Sequence, residues 1–394
     1  MKLNVIATLA VVGTSLACHS QGADATAADQ PQSSAASASN WLTFRGDAAM
    51  QGIAQGTVDL PLERAWTFNA GRPLKATPCI EDGRIYVGDG GGVFRCIGLE
   101  SGEEIWEFKA EGHFEGSACL FGGRVFVGSG DGFVYALEKA DGTLAWKFET
   151  GGEILGGTNF VQPDDGGEAL IVVGSYDNSL YGISAASGEK VWSYETGNYI
   201  NGAPAVSDGK VYFGGCDGYV YAVVATSGAE FGKVEIESYV PNAVAVRDGT
   251  AYLGHYGNEV IAVDLKGGSV LWTFREKSFP FFASPAVGPD FVIAAGRDKN
   301  IYRLDRESGE KVWSFKARGR VDSSPVVCGS TVLAGSDDGT LYALDLETGE
   351  TQWSYEVGAA VAASPAVVDG WVVVGADDGA LYGFRSTGKS SGGG

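Results

Sequence analysis

Leu341-Tyr342-Ala343-Leu344-Asp345-Leu346-Glu347-Thr348-Gly349-Glu350-Thr351-Gln352-Trp353 is the clearest copy of a phrase that recurs along the whole chain. Repetition at a fixed period decides architecture before any single motif does. Aligned on the terminal tryptophan, the copies end at Trp66, Trp106, Trp146, Trp192, Gly232 standing in the tryptophan register, Trp272, Trp313 and Trp353, spaced 40, 40, 46, 40, 40, 41 and 40 residues apart. Short β-rich runs separated by glycine-containing turns at this period have the length of a four-stranded propeller blade. Helical repeats of that length need long stretches without glycine or β-branched residues, and 60 of the 394 residues are glycine, which excludes them.

The strands read directly from the seventh copy: an inner strand begins at Ser324-Pro325-Val326-Val327, Thr331 to Gly335 and Leu341 to Leu344 follow, and Gln352 to Tyr355 lies outermost. Cys328-Gly329, Asp337-Asp338-Gly339 and Thr348-Gly349 are the turns between them, with glycine supplying the positive φ of tight hairpins. The chain ends fix the blade count. Ser364 to Phe384 holds only three strands, whereas Arg64 to Phe68 is an outer strand with no blade before it. Joining them completes an eighth blade and removes open sheet edges. The fold class is therefore all-β: an eight-bladed β-propeller of four-stranded blades over residues 64–384, closed by pairing the N-terminal strand with the C-terminal blade. A domain count taken from length alone would mislead here.

The pattern Ala343-x-Asp345-x-x-Thr348-Gly349-x-x-x-Trp353 returns as Ala262-x-Asp264-x-x-Gly267-Gly268-x-x-x-Trp272, and in part from Leu304-Asp305 to Trp313. It resembles the tryptophan-docking repeat of quinoprotein-like (PQQ-repeat) propellers. The glycine lets backbones approach and the indole fills the gap between neighbouring outer strands. One branch of that family holds pyrroloquinoline quinone dehydrogenases, with the cofactor and a calcium ion in the central funnel, commonly under a disulfide of adjacent cysteines. The other holds short BamB-like lipoproteins of outer-membrane protein assembly, which are non-enzymatic scaffolds. This chain has no Cys-Cys pair and resembles the second branch in length and in its tethered N-terminus. That resemblance implies a scaffold without a cofactor, monomeric, whose partners are envelope or outer-membrane proteins. The alternative it leaves is a small-molecule or pyrroloquinoline quinone-binding propeller using the funnel, a dehydrogenase among them; a sensor or adhesion module with a carbohydrate or peptide ligand is a third reading.

Met1-Lys2, the apolar run Val5 to Val12 and Ser15-Leu16-Ala17-Cys18 have the layout of a secretory signal, too short to span a membrane. Cys18 resembles the lipidated cysteine of a lipobox, with Ser15 where an aliphatic residue is usual. Cleavage near Ala23 to Ala27 is the alternative, and either gives an exported protein. The expected organisation is a signal at 1–18, a flexible linker rich in Ala, Ser and Gln at 19–40, a lead segment at 41–63, the propeller, and a flexible tail at 385–394. Localisation follows as the cell envelope, facing the periplasm from an outer-membrane anchor at Cys18, or else periplasmic or secreted. Trp41 to Asp47 resembles the aromatic-Arg-Gly lead of quinoprotein-like propellers, so Arg45-Gly46-Asp47 is expected to be docked and not an adhesion tripeptide.

Twenty-eight basic against 49 acidic residues give a net charge of −21, which argues against nucleic acid as a partner. Within this acidic chain Arg275, Lys277, Arg297, Lys299, Arg318 and Arg320 fall in loops joining successive blades or middle strands, two loop types that open on one face. They predict a local basic patch, either for an acidic partner or paired with carboxylates such as Glu276 and Asp298. Phe279 beside them is expected to be an exposed interface residue, with Phe281 and Phe282 starting an inner strand and plugging the channel. On the same face Arg72, Lys75, His113, Phe114, Glu115, Tyr199, Asn201, Tyr239, Asn242, His255, Tyr256 and Asp322 are candidates for a polar funnel. No spacing picks out a calcium shell, and the recurring Asp-Gly pairs read as hairpins before metal sites. Three histidines and no nucleophile or phosphate-loop motif favour a non-enzyme. Cys79, Cys96 and Cys119 read as small core residues, Cys216 and Cys328 as turn residues. Gly232 reads as drift or as an opened edge for a partner strand, and drift predicts that restoring tryptophan there stabilises the fold.

Overall fold

Each repeat folds as a four-stranded antiparallel meander in the computed structural model of the chain, which describes residues 40–163 and 166–387. Blades one to seven occupy residues 79–109, 119–149, 159–195, 205–235, 245–274, 286–316 and 326–356. The eighth combines Ala366–Val368, Trp371–Gly375 and Ala380–Ser386 with the first strand of the propeller, Leu62–Asn69. Leu62 faces Ser386 and Asn69 faces Ala380, so the ring closes on an antiparallel pair. Closure takes in slightly more chain than the repeat suggests, because Ser386 still pairs and Thr387 donates its hydroxyl to the Pro61 carbonyl. The signal, Cys18, nearly all of the linker and the end of the tail lie outside the described residues.

Burial follows strand position. Thr331–Gly335 is buried throughout, while the outer strand Thr351–Glu356 alternates toward solvent, as expected when middle strands lie between neighbouring sheets. Adjacent blades are fastened by the repeat's tryptophan. Trp66, Trp106, Trp146, Trp192, Trp272 and Trp313 lie against Gly102, Gly142, Gly188, Gly228, Gly309 and Gly349 of the following blade. Each donates its indole N–H to the carbonyl three residues before that glycine, at 2.8–3.2 Å. At Gly232 the arrangement changes: a Cβ there would overlap the carbonyl oxygen of Leu265, and Gly268, the docking glycine, has nothing within 4 Å of its would-be Cβ. Drift alone therefore does not describe this junction, since the neighbouring turn occupies the space a tryptophan side chain would need to leave the backbone.

A second fastening uses the middle hairpins, four of them Asp-Gly turns. Asp131, Asp177, Asp217, Asp298, Asp338 and Asp378 accept the hydroxyl of the tyrosine four residues on, from Tyr135 to Tyr382. Four of them also accept a backbone N–H of the linker arriving from the previous blade, at Gly112, Gly151, Gly197 and Gly319. The hairpin reading holds, and the same carboxylate ties the hairpin to its neighbour. In blade one Asp89 takes Arg95 instead, at 2.5 Å.

The lead segment does far more than precede the first strand. It runs beneath the blades in order, meeting the inner strands of blades one to seven and the turn after that of blade eight. Trp41 and Ile80 exchange two backbone bonds of 2.8 Å, and the N–H groups of Leu120, Val206, Val246, Val287, Val327 and Gly370 donate to Leu42, Ala48, Ala49, Gln51, Gly52 and Thr57. Blade three joins through Thr43 to Thr158 and Asn159 to Ala48. Backbone groups on the inner strands' channel-facing edges thus find partners. Arg45 is fully buried and donates to the carbonyls of Ser324, at 3.0 Å, and Pro325. Burial pulls its pKa down to about 9, with Asp47 acting in the opposite sense, so it stays charged at neutral pH. Arg45-Gly46-Asp47 is a docked segment, as expected.

Two stability predictions follow from these contacts. Gly309 and Gly268 share a φ of +71°, but only Gly309 lies under an indole, whose nearest atoms stand 2.6 Å from a would-be Cβ. Gly268→Ala should cost about 1–2 kcal/mol for the backbone alone, and Gly309→Ala about 1–3 kcal/mol more for displacing Trp272; urea unfolding of the two variants checks the difference. Burial would raise the pKa of Asp338, but hydrogen bonds from Thr340, Tyr342, Ser336 and Gly319 outweigh it and hold it below the usual range. Its contribution is therefore present above about pH 4 and lost as pH falls through the lowered value. Asp338→Asn should lower the urea midpoint at pH 7, with the gap to wild type narrowing below about pH 4.

Candidate functional site: a blind funnel and its aromatic rim

Residues spaced by one blade stand at one depth around the axis. Lys75, Glu115, Leu155, Asn201, Pro241, Phe282, Asp322 and Ala362 form such a ring, all lining a cavity of about 310 Å³. Ser117 and Ser364 lie two residues deeper, and Tyr176 and Tyr256 enter from middle-strand loops. Phe44 of the lead segment also lines the cavity. Because that segment crosses beneath the blades, the funnel is blind on its side.

Of the twelve candidate funnel residues, Lys75, Glu115, Asn201, Asn242, Tyr256 and Asp322 line this cavity. Phe114 is fully buried between blades, packed on Phe94 at 5.5 Å. His255 is buried as well: its Nδ1 accepts from the Gly257 N–H at 3.0 Å and its Nε2 lies 3.3 Å from Glu259. Burial lowers its pKa, which suits a structural imidazole. Arg72, His113, Tyr199 and Tyr239 do not line the cavity; Tyr199 and Tyr239 are exposed at its rim. Leu155, Tyr176 and Phe44 were not singled out by the sequence, although the forty-residue register would have found Leu155.

The rim is aromatic over blades three to six. Tyr176 and Tyr199 stack at 4.6 Å and 2°, Tyr239 meets Tyr256 at 6.2 Å, and Tyr256 meets Phe282 at 4.6 Å. Tyr199, Tyr239, Tyr256 and Phe279 are about half exposed, at 47–52%. Phe279 is thus accessible, as expected. Phe281 and Phe282 differ from expectation, since the inner strand begins only at Ala286. Phe281 is buried against Phe274 and Tyr302, and Phe282 forms funnel wall.

The basic residues are present at the loops read from sequence, but most are matched by carboxylates. Arg275 meets Glu259 at 3.3 Å, Lys277 meets Asp298 at 3.7 Å, Arg318 meets Glu356 at 4.0 Å and Arg320 meets Asp337 at 2.8 Å. Arg297 forms a bidentate pair with Asp322, 3.0 and 2.8 Å, and lies 3.6 Å from the Phe282 ring centre. Lys299 donates to the Arg318 carbonyl. Asp298 is a local partner as anticipated, whereas Glu276 pairs with Lys311 of the outer strand.

A calcium-bound tricarboxylate quinone needs a shell of oxygen donors and cations for its carboxylates. Glu115 is already paired with Lys75 at 2.9 Å, and Asp322 with Arg297. Among the described residues no group of three or more His, Cys, Asp or Glu is placed to hold a metal. The two carboxylates of the lining are thus engaged with cations of the protein itself. Cys79, Cys96, Cys119, Cys216 and Cys328 are free thiols; burial pushes Cys119 up to about 12, Cys79, Cys96 and Cys119 are core residues as expected and Cys216 lies at a turn, whereas Cys328 ends an inner strand and is buried.

The family model described as outer membrane protein assembly factor BamB matches residues 58–274, 216–323 and 297–391. Among solved structures, BamB from Moraxella catarrhalis is similar at 19% identity and a TM-score of 0.69, over 83% of this chain and 98% of that one. Quinohemoprotein alcohol dehydrogenase from Comamonas testosteroni is similar at 16% identity and a TM-score of 0.76, over 89% and 81%. A europium-containing methanol dehydrogenase gives 14% and 0.72, over 88% and 98%. At such identities the likeness is one of fold. No curated protein matches.

Arg297 and Arg318 separate a built contact from a solvated one. Arg297→Ala leaves a half-buried carboxylate unpaired and should cost about 1–3 kcal/mol, whereas Arg318→Ala should leave the urea midpoint unchanged.

Proposed function

As this chain belongs to the family of the outer membrane protein assembly factor BamB, we propose that it is an exported, non-enzymatic scaffold of the cell envelope that holds envelope or outer-membrane proteins on its funnel-side face. The observation that carries this reading is the grouping of Tyr199, Tyr239, Tyr256 and Phe279, all exposed, on loops of one face. Exposed aromatics in a cluster are the anchors that dominate protein interfaces. Arg275, Lys277, Arg297, Arg318 and Arg320 surround them, each paired within the protein, so they are suited to orienting a partner and less to supplying bulk attraction. Attachment to the membrane through Cys18 and action as a monomer belong to the same proposal. The quinone dehydrogenase reading has fold likeness in its favour, but the funnel's two carboxylates, Glu115 and Asp322, are each paired with a cation of the protein.

The test is capture of the tethered protein from its own envelope after mild crosslinking, comparing wild type with Tyr239→Ser/Phe279→Ser and with Arg318→Glu/Arg320→Glu. Recovery of outer-membrane assembly components by wild type, reduced about tenfold or more by the aromatic double substitution, is expected. Equal recovery by every variant would move the interface off this face, and absence of those components from the wild-type capture would overturn the scaffold reading.

A further inference from the structure

The funnel itself has a wall of two characters. Blades three to six contribute Tyr176, Tyr256 and Phe282, while Lys75, Glu115 and Asp322 stand on the arc running from blade seven round to blade two. Both carboxylates on that arc already have a cationic partner, Lys75 for Glu115 and Arg297 for Asp322. The arc therefore offers directional donors and acceptors with its charges cancelled in pairs. An anionic ligand would meet no uncompensated cation there.

Several polar groups of the wall retain bonding capacity. The side-chain oxygen of Asn201 is buried without a partner, while its amide nitrogen donates to the Cys216 sulfur at 3.0 Å. Exchanging the two amide atoms would leave the nitrogen unmet instead, so one end of that amide is unsatisfied in either assignment. The hydroxyl of Ser117 accepts the Thr77 N–H and that of Ser364 accepts the Ser324 N–H, which leaves each O–H proton available to donate. A buried polar group without a partner is costly, and a bound molecule that supplies the bond recovers that cost.

We propose that the funnel is a binding site for a neutral pyranose sugar. A sugar ring has an apolar C–H face to lie on the aromatic wall and hydroxyls that both donate and accept, matching a carboxylate, an ammonium and an amide that line one cavity. The volume of about 310 Å³ is at the small end of ligand pockets and suits one ring. The lead segment closes the far side, so the site takes the end of a glycan or a free monosaccharide and does not thread a chain. The proposal goes beyond the scaffold reading, which concerns the outer rim, and shares only Tyr256 with it.

Ligand-observed NMR of the full chain with methyl β-D-glucopyranoside and with N-acetyl-D-glucosamine tests it. Saturable binding is expected for at least one sugar, with a Kd of about 1 mM and the strongest transfer to the C–H protons of one ring face. Tyr256→Ala, at a half-exposed position, should weaken it about tenfold, a loss of about 1.4 kcal/mol, with the thermal midpoint unchanged; Asn201→Leu should act in the same direction. Failure of both sugars to saturate at about 10 mM, or binding unaffected by both substitutions, would overturn the proposal. Displacement of the sugar by pyrroloquinoline quinone with calcium, at lower concentration than either sugar requires, would also overturn it.

Discussion

An indole laid on a glycine, with its N–H on a carbonyl three residues earlier, sets the step from one blade to the next. A closed ring requires those steps to agree, because an error in one accumulates around the circle. Six junctions use the same contact. The two that do not have physical reasons. Trp353 faces blade eight, whose outer strand comes from the other end of the chain, so no outer hairpin with a docking glycine exists there; it packs on Phe384 at 5.7 Å instead. At Gly232 the Leu265 turn itself approaches the backbone. The seam and the degenerate blade each exchange a dock for another close contact, and the ring still closes.

The docks act at the outer edge, so a second system is needed near the axis. There the aspartates of six middle hairpins and the lead segment take over. The lead segment satisfies inner-strand N–H groups in blades one, two and four to seven, and reaches blade three through Thr158 and the Asn159 side chain and blade eight at the Gly370 turn, which spreads one short stretch of chain across the whole ring. Arg45 fastens it to blade seven with bonds to two carbonyls. The same placement turns what would be a through-channel into a pocket with a floor. Fold closure and the existence of a cavity are thus consequences of one segment.

Much of this was legible in the sequence. The period, the strand order and the closing pair follow from Trp66 to Trp353 and from the incomplete blade at the C-terminus, because each depends on local pattern. The aspartate-tyrosine tie was visible as a spacing of four from Asp131-Tyr135 to Asp378-Tyr382, but the hairpin alone explained the aspartates and the tyrosines read as strand residues. The lead segment was legible as a docked stretch, but its path around the ring was not. Its contacts are backbone bonds to residues as distant as Val327 and Gly370, and neither periodicity nor side-chain type signals them. The basic patch was legible as positions but not as charge, since the partner of Arg275 is Glu259 and that of Arg320 is Asp337, on middle-strand segments that only the fold brings alongside.

What the repeat specifies and what it leaves open divide along the depth of the blade. At the glycine and tryptophan positions almost any change breaks an inter-blade contact. At the linker positions equivalent to Lys75 the eight blades carry lysine, glutamate, leucine, asparagine, proline, phenylalanine, aspartate and alanine. No strand register depends on those side chains, so fold stability places little restraint on them, and the symmetry of the scaffold is lost there first. A binding surface on such a ring is therefore written in the residues where the repeats disagree. This is also why likeness of fold extends to both a BamB and quinone dehydrogenases, while the chemistry of each site has to be argued from the residues around its own axis.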